Sequence, residues 1–551
     1  MKSRFLRVIF SLTIAVLLLT FGFTAWFSYR IRIPDPVSPD SLPHYERIQT
    51  GPDEYRIGNN WLRKNEFGLW EMYLEGSPLE RGAIYGQLAE ELIREQEEVF
   101  VAQLRNMIPS EALLKWLKYF VSWFNRDIAD YIQEENLIEI YGISWSFSND
   151  FDYIGTPYYR VLNYHAAHDI GHALTDLNMV GCTSFAVTGE YSADSSLLIG
   201  RNFDFDMGEQ FAQNKIILFL KPDRGYAFAS VSWAGFTGVV SGMNEKGLTV
   251  TLNAAKSDIP TKAKTPISLL AREILQYAAN IEEAVAIARQ RETFVSESLL
   301  IGSAADQKAI VIEKTPTKTD VYDSGTALTV CSNHYQGRAL AKDPANLDNI
   351  ENSDSWYRFT RMNQLIGRHQ PLGPKDGVAI LRNYLGMDDK FIGYGNPKLI
   401  NQFLAHHSIL FQPEKRLFWV SANPYALGAY VGYDLARLDG NFRADSSLTF
   451  APDPFLNTTE FLDFGYFRQM QRNITAHLMT GRPLEITEDE IARFVASNPE
   501  SYQPYYLLGE YFFKQKNNAK AAAYYEMALS RELPSKKDET QIRQKLKEVQ
   551  P

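Results

Sequence analysis

Met179-Val180-Gly181-Cys182-Thr183-Ser184-Phe185-Ala186-Val187 is followed closely by Leu198-Ile199-Gly200-Arg201-Asn202-Phe203-Asp204-Phe205-Asp206. The runs Ser184–Val187 and Leu197–Gly200 read as short strands punctuated by turn residues. A cysteine opens the first strand. An arginine and two aspartates follow on the strand that returns beside it.

The same rhythm continues outward. Lys215–Leu220, Tyr226–Val231, Gly238–Ser241 and Leu248–Asn253 are β-type runs, and Met243–Gly247 is a hairpin-type connection. Helical patterns follow over Pro266–Tyr277 and Ile281–Gln290. Strand patterns resume at Ser298–Gly302, Ala309–Glu313 and Ala327–Cys331. A helix is expected over Trp356–Arg368, then strands over His407–Phe411, Arg416–Ser421 and Gly428–Val431. This order predicts an α+β fold of antiparallel sheet covered by helices.

The chain has 551 residues, more than one core usually holds, so a large domain with appendages is expected. Apolar residues at 45% and charged residues at 22% are ordinary globular values. A net charge of −10 leaves no basic field for DNA or RNA. Two cysteines, Cys182 and Cys331, exclude a disulfide scaffold and a zinc site of four cysteines.

Five segments are predicted. Residues 1–32 hold Lys2, Arg4 and Arg7, an uncharged run Val8–Tyr29, then Arg30 and Arg32. That run matches a bilayer core of about 30 Å and exceeds a usual signal-peptide core of about 7–15 residues. The expectation is one retained membrane anchor, with the rest of the chain outside the cytoplasm. The alternative is secretion after signal cleavage. Residues 33–57, with Pro34, Pro36, Pro39 and Pro43, read as a stiff linker. Residues 58–181 read as mixed, then largely helical, and 182–455 as the strand-rich core. Residues 456–551 lack strand patterns, and Tyr505, Leu508, Gly509, Phe512, Ala521, Tyr525, Ala528 and Pro534 fit one tetratricopeptide-like helix pair.

Gly-Cys-Thr-Ser at a strand start, followed by Gly200-Arg201-Asn202-Phe203-Asp204, resembles the choloylglycine hydrolase and penicillin (isopenicillin N) acyltransferase group of N-terminal-nucleophile hydrolases. Gly242–Asn253, Ser332-Asn333-His334-Tyr335, Ser355-Trp356-Tyr357-Arg358, and His407–Phe411 with Ala429-Tyr430 agree in order. Leu74–Gly86 is similar to the pro-segment start of the acyltransferase branch. The resemblance covers about residues 70–435, by their order along the chain.

It implies a four-layer αββα sandwich, residues 58–181 as the pro-segment, and no cofactor or metal. It also implies a cut between Gly181 and Cys182. A thiol near pKa ~8.5 is a weak nucleophile at neutral pH, and the freed α-amine, near about 7.7–8.0, would serve as its base. Gly181 carries no side chain to obstruct attack on its carbonyl. Asp204 would hold the new ammonium, Arg201 would favour the thiolate, and Asn253 and Asn333 would donate to the developing oxyanion. Arg358 would support the site through hydrogen bonds.

Each residue has an ordinary alternative. Cys182 would be core filler, Asp206 would replace Asp204, and the two asparagines would form turns. Arg201 and Arg358 would be surface ion pairs, with Arg361 competing for the latter role. Cys331 is expected buried and inert. On a helix His165, His168 and His172 share a face with Asp169 beside them, a pattern weighed as a zinc site against a structural or processing role.

The expected activity is hydrolysis of a linear amide in a small, possibly lipophilic, N-acyl substrate. Alternatives are acyl transfer to an amine, phospholipase-like ester hydrolysis, and a non-catalytic anchored protein whose C-terminal helices recruit a partner. A panel of amides and esters separates the ester reading from the amide one, and full turnover in Cys182→Ala would overturn the whole mechanism.

Overall fold

The structure, a computed structural model, describes residues 2–38, 43–108, 110–166, 169, 181–205, 208–256, 260, 262–437 and 442–550. The strands before the cysteine are β1 (Ile48–Gly51), β2 (Glu54–Ile57), β3 (Asn60–Lys64) and β4 (Trp70–Gly76). From the cysteine onward come β5 (Thr183–Val187), β6 (Leu198–Asp204), β7 (Ile216–Pro222), β8 (Phe228–Ser232), β9 (Ser241–Asn244) and β10 (Leu248–Ala254). Then follow β11 (Glu297–Ser303), β12 (Lys308–Lys314), β13 (Thr319–Tyr322) and β14 (Leu328–Cys331). The last are β15 (Ala405–Gln412), β16 (Leu417–Ser421), β17 (Tyr430–Asp434) and β18 (Asp445–Phe450).

They form two sheets. The larger runs β1-β2-β3-β4-β7-β8-β9-β10-β11-β12-β13 and the smaller β14-β5-β6-β15-β16-β17-β18. Every pairing is antiparallel except β4 with β7, which is parallel. Side chains alternate between faces along a strand, so one strand feeds two cores. On β7, Ile217 and Phe219 face a core shared with Ile199 of β6, Ile409 and Phe411 of β15, and Val420 of β16. That core lies between the sheets. Ile216, Leu218 and Leu220 face the other way, onto Ile84, Leu88, Ile140, Leu270 and Ile274 of the helices Pro78–Leu88, Glu134–Ser144 and Ile267–Tyr277. The outer face of the smaller sheet, through Phe185, Leu198 and Leu410, packs on Met362, Leu365 and Leu381 of the helices Ser355–His369 and Pro374–Arg382.

One part of the N-terminal reading needs correction. Ile48–Ile57, read as the end of the linker 33–57, forms β1 and β2, so the stiff stretch stops earlier. The described part of 58–181 is mixed, then largely helical: β3 and β4 open it and extend the larger sheet, β4 pairing with β7 over seven residues, and helices follow from Pro78. Gly238–Ser241, expected as a strand, starts it only at Ser241, because the Val239 N–H donates to the Ser268 carbonyl (2.9 Å) and not to a neighbouring strand.

The segment before Cys182 is also tied to the core by charge. Glu139, fully buried, accepts from Arg81 (2.8 and 3.0 Å) and from Arg272 (2.7 and 2.8 Å). Burial pushes its carboxyl up and the two guanidinium groups pull it down more, to about 2. Arg81 and Glu139 precede Cys182, and Arg272 follows it.

Beyond β18, the helices Thr459–Thr480, Glu488–Ala496, Gln503–Lys514, Asn518–Leu529 and Lys536–Val549 share one apolar cluster with Phe403, Leu427 and Phe455. Gln503–Lys514 and Asn518–Leu529 form a close pair, with Gly509 against the ring of Tyr525. At the other end Lys2–Arg30 is one helix, and its Phe10–Arg30 stretch has mean hydropathy 1.9 with no part buried.

Glu139→Ala would leave Arg272 buried without its counter-charge, and Arg81 with only the partly exposed Asp223. The expected loss is about 3–5 kcal/mol of stability, read from chemical denaturation.

Candidate active site

Pairing of β5 with β6 sets the site. Thr183 lies opposite Asn202 and Ser184 opposite Arg201, which brings the head of β5 beside the end of β6. Cys182 is fully buried and not in a disulfide. Arg201 Nη2 donates to its Sγ at 3.5 Å. The same guanidinium donates to the Leu252 carbonyl, to the Val240 carbonyl (2.9 Å) and to Ser241 Oγ (2.6 Å), and it stacks 4.3 Å from the Phe203 ring. Ser241 Oγ also meets His407 Nε2 at 2.9 Å.

Burial pushes the Cys182 thiol up to about 11, Arg201 being the strongest opposing influence. Arg201 therefore acts in the expected direction but does not win in the continuous chain. Asp204 is equally buried. Burial raises its carboxyl to about 7 against the pull of Arg358 and Arg201.

Gln402, which the sequence analysis missed, contacts the bond of interest. Its Nε2 donates to the Gly181 carbonyl at 2.7 Å and to Asp204 Oδ2 at 3.3 Å. A Cβ at position 181 would come within 2.5 Å of that amide. Glycine here is a requirement of close approach. Gln402 precedes β15, whose Ala405 lies opposite Asp204, so the sheet register delivers it. No spacing in the sequence signals it.

Arg358 enters from the helix Ser355–His369. It donates to the Cys182 carbonyl (2.8 Å), Thr183 Oγ1 (2.7 Å), Ser332 Oγ (3.1 Å) and Asn333 Oδ1 (2.8 Å), and pairs with Asp354 at 2.8 Å. Asn333 Nδ2 donates to the Ala254 carbonyl (2.8 Å). Asn253 accepts from Ser184 Oγ (2.8 Å) and donates to the Cys331 carbonyl (3.2 Å). Each amide has two N–H groups, so each keeps one donor beyond the bond it makes here.

The competing residues lie elsewhere. Arg361, also buried, binds Gln364, Asn383 and Asp389. Cys331 is buried, is not in a disulfide, and its thiol is raised far by burial. Asp206 lies outside the described residues, as do His168 and His172. His165 uses both ring nitrogens: Nδ1 on the Val161 carbonyl (2.8 Å) and Nε2 accepting from the Thr237 amide (2.9 Å). Burial lowers it to about 4. Asp169 accepts from the Ile267 amide. No group of side chains suited to a metal occurs among the described residues.

The family model described as acyl-coenzyme A:6-aminopenicillanic acid acyl-transferase matches residues 191–421. Over that stretch the chain is similar to the choloylglycine hydrolase and penicillin acyltransferase-like group of N-terminal-nucleophile hydrolases. It is 28% identical over 255 residues to an uncharacterized protein of Archaeoglobus fulgidus, covering 43% of this chain and 41% of the relative. It is 25% identical over 212 residues to an N-acylethanolamine-hydrolyzing acid amidase of Caenorhabditis elegans, covering 36% and 56%. The chain spans about half the length of the curated relatives it matches. A mutant conjugated bile acid hydrolase of Clostridium perfringens aligns at 15% identity and TM-score 0.34, covering 49% of this chain and 97% of that one.

Asp204 gives a signed test. Its proton leaves near 7 in the folded chain and near about 3.9 when unfolded, so stability falls as pH rises through that window. In a Cys182→Ala background, Asp204→Asn should gain stability over its parent from about pH 4 to about pH 7, by at most about 4 kcal/mol. Denaturation across pH measures it. A gain independent of pH would remove the buried carboxyl as its cause.

Proposed function

We propose that this protein is a self-processing cysteine amidase, anchored in a membrane with its catalytic domain on the extracytoplasmic side. The observation that carries the reading is the Gly181–Cys182 junction. Its thiol lies beside Arg201, its carbonyl accepts from Gln402, and Asp204 stands against that same amide. The cores on both outer sheet faces and between the sheets support a four-layer αββα sandwich as its frame. The helix pair 503–529 supports a tetratricopeptide-like appendage, and the exposed apolar helix at the N-terminus supports the anchor.

In the processing step the Cys182 sulfur attacks the Gly181 carbonyl carbon. The C–N bond breaks, a thioester forms, and the thiol proton passes to the departing nitrogen. Gln402 donates to the oxygen that gains charge. Water then hydrolyses the thioester, which leaves a Gly181 carboxylate and a Cys182 with free thiol and free α-amine. That amine takes the thiol proton when an N-acyl substrate is attacked, and returns it to the leaving amine. Asp204 orients the ammonium, and the second N–H groups of Asn253 and Asn333 serve the substrate oxyanion. Arg358 positions Asn333 and the head of β5. Water completes the turnover; the match to an acyl-transferase family favours an amine acceptor as the second reading.

Intact mass and N-terminal sequencing test this directly. The parent should yield pieces of about 21 and about 42 kDa, the larger beginning Cys-Thr-Ser-Phe, and Cys182→Ala should stay whole and inactive. One uncut chain in both would end the proposal. Gln402→Ala should process about 100-fold more slowly, the scale of one lost oxyanion donor, in a time course on gels. Unchanged kinetics would mean Gln402 only packs.

A further inference from the structure

The helix Glu111–Phe124 carries one apolar face that the fold covers only at its C-terminal end. There Phe124 is buried, its ring edge-on to Phe294 at 5.8 Å and stacked on Phe120 at 6.4 Å. Toward the other end the same face carries Leu113, Trp116, Tyr119 and Phe120, which are 46%, 62%, 53% and 37% exposed. At about 100° per residue these four share one arc of about 120°. Burial in the fold therefore does not account for this face, and a row of Trp, Tyr and Phe in water is costly.

The N-terminal helix lies beside it. Near its end the apolar helix Lys2–Arg30 packs on this one: Trp26 lies 5.8 Å from Trp123, Phe27 stacks on Trp123 at 5.7 Å, and Phe27 meets Tyr119 at 6.3 Å. Arg30, which closes the apolar run, pairs with Asp127 at 3.0 Å. Trp26 is only about 6 Å along the helix axis from Arg30. The helix 111–124 is thus held at the level where the hydrocarbon-length stretch ends. That is where Trp and Tyr rings are most stable, with one side apolar and the other wet.

We infer that the Leu113–Trp116–Tyr119–Phe120 face lies in the headgroup boundary of the bilayer that the N-terminal helix enters, so that the catalytic domain rests on the membrane instead of swinging from a tether. The inference rests on the anchor reading above for its depth, though the face itself belongs to the folded domain. Its consequence is that an N-acyl lipid amide would leave the bilayer next to the enzyme, not through bulk water.

The test uses the full chain with Trp116→Cys in a Cys182→Ala background, carrying an environment-sensitive fluorophore; Cys331 is buried and does not compete for it. The probe is a phosphatidylcholine–phosphatidylglycerol vesicle containing a lipid with a nitroxide near its headgroup. Leu113→Cys reads the same face should the first variant misfold. Leu462→Cys, 71% exposed on the helix Thr459–Thr480, is the solvent control. The expected result is loss of most emission at 113 and 116 with little loss at 462. Flotation after an alkaline wash reads the anchor separately. Protein that floats while position 116 behaves like 462 overturns the inference and leaves the anchor standing. Protein that does not float ends the anchor reading, and the same comparison on added vesicles still decides the face. A label shielded from aqueous iodide but untouched by the lipid quencher assigns the face to a second copy of this chain, and overturns it too.

Discussion

Arg358 donates to the carbonyl of a residue 176 positions upstream, and the site hangs together through it. A buried guanidinium is costly unless its donors find partners, and here they find Cys182, Thr183, Ser332, Asn333 and Asp354. Those partners come from the head of β5, the loop after β14, and the start of a helix. The energetic demand of one cation thereby holds three separate segments in one arrangement. Arg201 makes the same demand on the opposite side of Cys182, drawing the ends of β9 and β10 to the sulfur.

The continuous chain is poised unfavourably for ordinary turnover. Burial holds the thiol protonated and raises the Asp204 carboxyl, so Arg358 has its ion pair in Asp354 while Arg201 faces a neutral thiol. A new ammonium at Cys182 would sit beside that carboxyl and stabilise its ionised form. Cleavage on this view changes the electrostatics of the site as much as its access. The Arg81–Glu139–Arg272 cluster and the β4–β7 pairing cross the junction, so the two pieces would remain one folded body.

Much of this was legible in the linear chain because it depends on local pattern. Alternating apolar residues place β5, β10 and β15 within a residue or two of their observed bounds and end β6 four residues short, and the long uncharged run before Arg30 reads as a helix of bilayer length. Cys182 heads β5 and Arg201 and Asp204 lie on β6, the next strand along the chain, where antiparallel pairing leaves few registers. Asn253, Asn333 and Arg358 came from resemblance, not from any local rule, and they do converge on the same pocket of hydrogen bonds.

Other features belong to the tertiary structure alone. Gln402 reaches Gly181 only because β15 pairs with β6, with a bulge at His406 that shifts the register between Ala405 and His407. The edge strand β1 and its neighbour β2 read as linker because four-residue strands carry too little pattern to outweigh nearby prolines. The choice of Arg358 over Arg361 turns on which helix face meets the sheet, and both residues look alike until the helix is packed. Sequence determines periodicity and chemistry, since these follow from neighbours along the chain. Which distant side chains meet, and which protons they hold, is decided only when packing removes water from between them.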